Sequence, residues 1–284
     1  MDTYKNAFKK AIAEGKIDKR LLPWEQTETE TEPSTRKVLE KINYYLPDQL
    51  QQLPDPVLND FRIISENLRS LAIQGSLKII GITSPVPRHG ASTLCAILSL
   101  IVAVAGKRNG YSESIQTKFA KIDETKKPDF PVLLIDAQMK NPILHEIFQI
   151  KVGEGLFDLL NDMSSFENVL KEVDIPELKL LTIGTNEDYQ FVHRHFENFK
   201  FLLEGIKSQF EFVFVDIPPV LRYAEGIALS KLCDGVVMVV QAGETRWEVA
   251  QQARRSLAKA DVNVIGSILN RREYYIPNWL YHML

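Results

Sequence analysis

Only two cysteines occur in the 284 residues, Cys95 and Cys233, far apart in sequence and set among apolar neighbours. That excludes a disulfide scaffold and offers no zinc-type ligand spacing, so two thiols in a reducing compartment are expected. No long hydrophobic run is present. The longest, LCAILSLIVAVA from Leu94 to Ala105, spans 12 residues, whereas a membrane-spanning helix needs about 20; it reads as a buried core helix. The first residues, MDTYKNAFKKAIAEGK, lack the apolar core of a signal peptide, which makes a cytoplasmic location the expectation. A surplus of charge is missing too: 34 Lys and Arg against 37 Asp and Glu leave a formal charge of −3. Such a balance gives no field to draw nucleic acid or an anionic membrane, and no nucleic-acid partner is expected. What is there is an ordinary globular composition, 45% hydrophobic and 25% charged, long enough for one large domain or two small ones.

The first part of the chain is polar. Residues 1–22 carry Tyr4, Phe8 and Ile12 at a spacing of four, one short helical stripe. Residues 23–56 read as a linker: the acidic, proline-bounded PWEQTETETEPST can bury nothing, and a short helix over 37–46 precedes Pro47, Pro54 and Pro56. A better helix follows over 58–72, with Leu58, Phe61, Ile64, Leu68 and Leu71 on one face. The main domain is taken as 57–284. Within it six apolar runs, 77–83, 131–137, 178–184, 211–217, 235–243 and 263–270, alternate with helical stretches over 91–105, 154–172, 194–208, 223–232 and 246–260. Runs nearly continuous in Val, Ile and Leu are strands buried on both faces, and their alternation with helices predicts an α/β fold with a mainly parallel sheet covered on both sides. Residues 108–130 have no apolar periodicity and read as a surface excursion.

Three segments fall at C-terminal ends of expected strands, the edge at which open α/β sheets bind ligands. The first, Thr83-Ser-Pro-Val-Pro-Arg-His-Gly-Ala-Ser-Thr93, links a strand to the apolar helix. A phosphate-binding loop needs a tight glycine turn, free N–H groups at a helix start, a Lys for the phosphates and a Ser or Thr for magnesium. Gly90 and Ser92 suit that pattern, but Ala91 stands where the Lys belongs and Arg88 where a Gly belongs; on this segment alone an ordinary strand–turn–helix is the better reading. The second, VLLIDAQMKNP, ends a strand on Asp136, and the third, FVFVDIPP, ends one on Asp216 before a rigid Pro-Pro turn. A carboxylate at the end of an apolar strand needs a partner. Magnesium with its water shell is one; the backbone N–H groups of the next helix are another.

In order along the chain, TSPVPRHGAST, VLLIDAQMKNP, GLFDLL, FVDIPPV, CDGVVMVV and SILN resemble the motifs of the bacterial tyrosine kinases. These are P-loop proteins of the capsule and exopolysaccharide machinery, related to chromosome-partitioning and division-site ATPases. The resemblance runs from about Pro54 to the end and implies a P-loop NTPase-like fold. It implies a nucleotide site for ATP or ADP at Pro87, Arg88, His89, Gly90, Ala91, Ser92 and Thr93, with Asn270 and Arg271 toward the base. It places magnesium at Ser92, Asp136 and Asp216, the two carboxylates being the catalytic pair. Tyr274, Tyr275 and Tyr281 are the candidate phosphoacceptors of a tyrosine-bearing tail.

The departures carry as much meaning. The phosphate-binding Lys is Ala91, the second acid of the second motif is Gln138, and the ring-assembly motif Glu-x-x-Arg-x-x-Arg is reduced to Asn59, Arg62 and Ser65. Loss of a cation from a site built on charge stabilisation lowers the rate of phosphoryl transfer by orders of magnitude. The expectation is therefore a weakened or inactive kinase relative: a cytoplasmic regulator or scaffold of a membrane polysaccharide co-polymerase, held at the inner face of the plasma membrane through that partner. ATP, ADP and magnesium would bind weakly or not at all, and self-association would be weaker than the family's ring. Two other readings stand beside it. One is an active tyrosine autokinase with Arg88 in place of the Lys; the other is a partitioning-type ATPase, against which the tyrosine-bearing tail argues. The tail is expected to fold as a short helix opened by Pro277 and docked through Ile276, Trp279, Leu280, Met283 and Leu284.

Overall fold

The computed structural model describes residues 55–73, 77–106, 130–185 and 191–272. The expected N-terminal helix, nearly all of the linker, the excursion before Phe130 and the tail with its tyrosines lie outside them. The elements are α1 (Asp55–Ile73), β1 (Ile79–Thr83), α2 (Ala91–Gly106), β2 (Phe130–Asp136), α3 (Leu144–Ile147), α4 (Leu156–Leu160), α5 (Phe166–Val169), β3 (Leu170–Glu172), β4 (Leu178–Leu181), α6 (Phe191–Ile206), β5 (Phe210–Asp216), α7 (Ala224–Ser230), β6 (Gly235–Gln241), α8 (Trp247–Lys259) and β7 (Val264–Asn270).

The strands form one sheet in the order β3-β4-β2-β5-β1-β6-β7. Every neighbouring pair is parallel except β3 with β4. Alternate residues of each inner strand serve opposite faces, as the pleat demands. Ile80, Ile82, Val132, Leu134, Phe212 and Phe214 pack under α1 and α2. Ile79, Leu133, Ile135, Val213 and Val215 pack against α4 and α6. The apolar run that is too short to cross a membrane is α2, buried along its length between α1 and the sheet. No helix among the described residues is long and apolar enough to cross a membrane.

One expected element is corrected. Residues 154–172 are not a single helix but α4, a turn, α5 and the short strand β3. Gly155 opens α4 because it lies against the backbone of β4's end: a Cβ there would come within 2.4 Å of the Thr182 carbonyl and the Gly184 nitrogen. Asp162 then takes a φ of 57°, a left-handed turn that stops the helix. Leu170–Glu172 gains its hydrogen bonds from β4, antiparallel, which no local periodicity announces. The short helix α3 was likewise not expected from sequence.

At the opposite end of the sheet from the loops of interest, Asp234 ties three elements together. Its Oδ2 accepts the backbone N–H groups of Lys78 and Ile79 at 2.9 and 2.8 Å, and its Oδ1 meets Lys207 Nζ at 2.7 Å. Partial burial opposes its charge, yet the Lys207 ammonium and the two amides outweigh that and hold the carboxyl below its usual value. Asp234→Ala leaves two strand-start amides and a lysine without their acceptor, which costs about 2 kcal/mol or more at pH 7. A carboxyl depressed in the folded state contributes stability above its unfolded value and loses it as pH falls through the folded one, so the cost fades below about pH 4. Urea unfolding at pH 7 and pH 3 measures both.

Candidate functional site

β1, β2 and β5 are adjacent in the sheet, so the three motifs expected at strand ends converge on one edge. Asp136 and Asp216 are register partners at the ends of β2 and β5, both fully buried. The Thr83 hydroxyl donates to the Pro218 carbonyl at 2.9 Å, and Val220 N to the Ser84 carbonyl at 3.0 Å, locking the loop after β1 to the Pro218-Pro219 turn.

The two carboxyls are held differently. Asp136 accepts the backbone N–H of Gln138 at 3.0 Å and of Leu144 at 3.3 Å, so it caps the turn into α3. Asp216 accepts the Gln138 amide at 3.4 Å on Oδ1 and is hydrogen-bonded by the Ser92 side chain, while its Oδ2 is buried with no partner. Burial pushes the Asp136 carboxyl up to about 7 despite its backbone donors. Burial, then the neighbouring Asp136 charge, pushes Asp216 well above the carboxylate range, with Ser92 and Gln138 pulling the other way. Like charges this close cannot both ionise in a dry site, so the pair retains a proton unless a cation joins it. The unpartnered Asp216 Oδ2 suits a magnesium ion or one of its waters, since magnesium takes oxygen ligands. No group of three or more His, Cys, Asp or Glu among the described residues could hold a metal alone; such an ion would also need phosphate or water oxygens.

The loop before α2 offers helix-start amides but no buried cation. Ala91 is the first residue of α2 and 6% exposed, and Ser92 and Thr93 are half-buried. Pro87 and Arg88 are exposed, and Arg88 holds a φ of 70°. His89 is buried, with Nε2 3.2 Å from the Thr245 hydroxyl. Burial lowers its pKa; the Val239 backbone and Glu244 oppose that shift. Asn270 Nδ2 donates to the His89 carbonyl at 2.8 Å. Gly90, at φ 83°, leaves room for that amide: a Cβ would lie 2.4 Å from Nδ2. Arg271 reaches Gln241 Oε1 at 3.3 Å. Asn270 thus sits against the loop, and the side chains of Asn270 and Arg271 both bind the protein itself.

Sequence reading did not find His89 with Thr245, which join only through the neighbouring ends of β1 and β6. Gln138 had been noted only as a missing acid; its amide bridges Asp216 and the Ile217 carbonyl at 3.3 Å. Next to it Lys140 lies over the Tyr223 ring, 4.9 Å from the centroid. On α1, Arg62 donates to Asn59 at 3.1 Å and Glu66 at 3.3 Å, and Ser65 is buried with its hydroxyl on the Arg62 carbonyl.

No family model matches the chain. It is 28% identical over 221 residues to the tyrosine-protein kinase ptk of Acinetobacter johnsonii, covering 75% of this chain but 27% of that protein. It is 27% identical over 213 residues to the tyrosine-protein kinase YwqD of Bacillus subtilis, covering 75% of this chain and 80% of the relative. Among solved structures, the chimerical protein CapA2B2 superposes with a TM-score of 0.64 and 25% identity, over 79% of this chain and 89% of that one. The septum site-determining protein MinD of Pyrococcus horikoshii, complexed with Mg-ADP, superposes with a TM-score of 0.53 and 19% identity, over 73% and 76% of the two chains, a likeness of fold. In sequence the chain is similar to bacterial tyrosine-protein kinases, and its mostly parallel, helix-covered sheet is of the P-loop NTPase-like fold seen in CapA2B2 and MinD.

Proposed function

We propose that this protein is a tyrosine kinase-like component of capsule or exopolysaccharide biosynthesis and export whose ATP chemistry is weakened or lost. It acts as a cytoplasmic regulator or scaffold on the inner part of a membrane polysaccharide co-polymerase. The observation that carries the reading is Ala91: it is buried at the start of α2, whose first turn carries no cation, while Asp136 and Asp216, the pair that the resemblance assigns to magnesium, are both present. The relatives' names support the kinase class, and the MinD likeness with Mg-ADP supports a nucleotide-type site. The rival reading, an active autokinase with Arg88 as the phosphate cation, requires the exposed Arg88 side chain to turn over the loop toward the start of α2.

Titration calorimetry with magnesium-ATP, beside a phosphotyrosine blot of the purified protein, tests this. Binding weaker than about 100 μM, equivalent to roughly −5.5 kcal/mol, and a blank blot are expected. Micromolar binding that disappears in Arg88→Ala, with phosphate on Tyr274, Tyr275 or Tyr281, would establish the autokinase instead.

A further inference from the structure

The resemblance sets Asn270 toward the base of a nucleotide, but the hydrogen bonds around it give it a different task. Its carboxamide is engaged at both ends. Oδ1 accepts the Arg271 backbone N–H at 2.9 Å, and Nδ2 donates to the His89 carbonyl at 2.8 Å. The first bond fixes which way the amide faces, because only its oxygen can accept, and so Nδ2 is the group presented to the loop. The platform beneath is fixed too. The Asn270 carbonyl accepts Ala242 N at 2.8 Å, and Arg271 Nη1 donates to Oε1 of Gln241, the register partner of Asn270 on β6, at 3.3 Å. An amide that reads an adenine edge offers donor and acceptor together; in Asn270 both ends are already bonded to the protein.

The grip falls on a single peptide unit. The His89–Gly90 peptide is trans, so the Gly90 N–H points opposite to the His89 carbonyl, and holding the carbonyl toward β7 sets the direction of that N–H. Gly90, at φ 83°, then turns the chain into α2, where its own carbonyl accepts Leu94 N at 3.0 Å. The N–H groups of Ala91, Ser92 and Thr93 precede that first helical bond and are the donors an anion would use. The buried His89 ring is a second hold, with Nε2 3.2 Å from the Thr245 hydroxyl after β6. Gly90 fits the same account: among the described residues, the Asn270 side chain is what a Cβ at position 90 would strike.

We infer that Asn270 is a positioning residue for the loop: by holding the His89 carbonyl it sets the amides at the start of α2 for the phosphate groups of a ligand, and it does not read the base. The ligand class is then a polyphosphate, taken with little regard to what it carries. For that ligand the inference rests on the nucleotide-type site proposed above; the hold on the loop stands on the hydrogen bonds alone.

Asn270→Asp and Asn270→Ala in the full chain test it. The first keeps the acceptor for Arg271 N and loses only the donor to His89; the second loses both. Without ligand, amide exchange at Leu94, whose acceptor is the Gly90 carbonyl, is expected to quicken about tenfold in both variants, while exchange at Val237–Val239 in β6 stays as it was. Unchanged exchange at Leu94 overturns the positioning role. Quickened exchange throughout β6 and β7 also overturns it, since Asn270 would then merely hold the sheet together. Calorimetry at millimolar magnesium-ATP, magnesium-GTP and magnesium-tripolyphosphate is the second arm. All three are expected to weaken by a like factor, about fivefold, the worth of one net hydrogen bond. A loss confined to ATP makes Asn270 a base contact and overturns the inference. If the unaltered protein binds none of the three, the nucleotide-type site fails on its own account, and the Leu94 exchange alone upholds or overturns the positioning role.

Discussion

Replacing Ala91→Lys together with Arg88→Gly is expected to raise affinity for magnesium-ATP by ten- to a hundredfold. The amides at the start of α2 and the carboxyl pair are in place, so the missing element is a cation within reach of the β and γ phosphates. A charge-assisted hydrogen bond to such an anion contributes about 1.5–3 kcal/mol. Position 91 is buried, but a lysine stem can lie along apolar surface and carry its ammonium over the loop. Glycine at 88 accepts the φ of 70° that Arg88 now holds, relieving about 1 kcal/mol of left-handed strain. Arg88→Gly alone therefore should raise the melting temperature slightly and leave nucleotide binding unchanged. Calorimetry on both variants decides the matter. A double variant that binds no better shows that the loop, held by Asn270 and His89, is shut to nucleotide for a reason other than charge. A loss of binding in Arg88→Gly alone shows that Arg88 is the working cation.

Asp216→Asn is expected to stabilise the protein above neutral pH in the absence of nucleotide, by roughly 5 °C or more at pH 8. Asp136 and Asp216 are register partners in one dry site, and both are shifted upward by burial, Asp136 to about 7. An acid whose folded value is raised takes up its proton on folding. Its favourable contribution is full below the unfolded value near 4, declines as pH rises, and is gone above the folded value. The unaltered protein should therefore lose stability between pH 5 and 8. Removing one carboxyl removes the repulsion and supplies an amide donor toward the other, which flattens that decline. Asp136→Ala has the opposite sign, since it strips an acceptor from the Gln138 and Leu144 amides. Melting curves at pH 5 and pH 8 separate the two. Equal slopes for Asp216→Asn and the unaltered protein would show that the pair does not share a proton.

The parallel, doubly covered sheet was legible in the sequence because strands buried on both faces must be apolar at nearly every position, and the runs at β1, β2, β5 and β6 are. The positions of Asp136 and Asp216 were legible for the same reason: a carboxyl that ends such a run stands out against it. The loss of the phosphate cation is likewise a fact of residue 91 alone. The sequence did not determine that the two acids are neighbours, since that depends on β2 lying beside β5, an order that no local pattern encodes. Nor did it determine that Asn270 holds the His89 carbonyl, or that Thr245 meets the His89 ring, because these contacts join residues 156 and 181 positions apart. The break in 154–172 belongs to the same class: α4 begins where Gly155 can approach β4, and β3 exists only because β4 offers it hydrogen bonds. Burial periodicity and side-chain chemistry are properties of a segment and can be read from it. Strand order and loop-to-loop hydrogen bonds are settled by which segments pack together, and here that packing alone decided which groups of the candidate site remain free for a ligand.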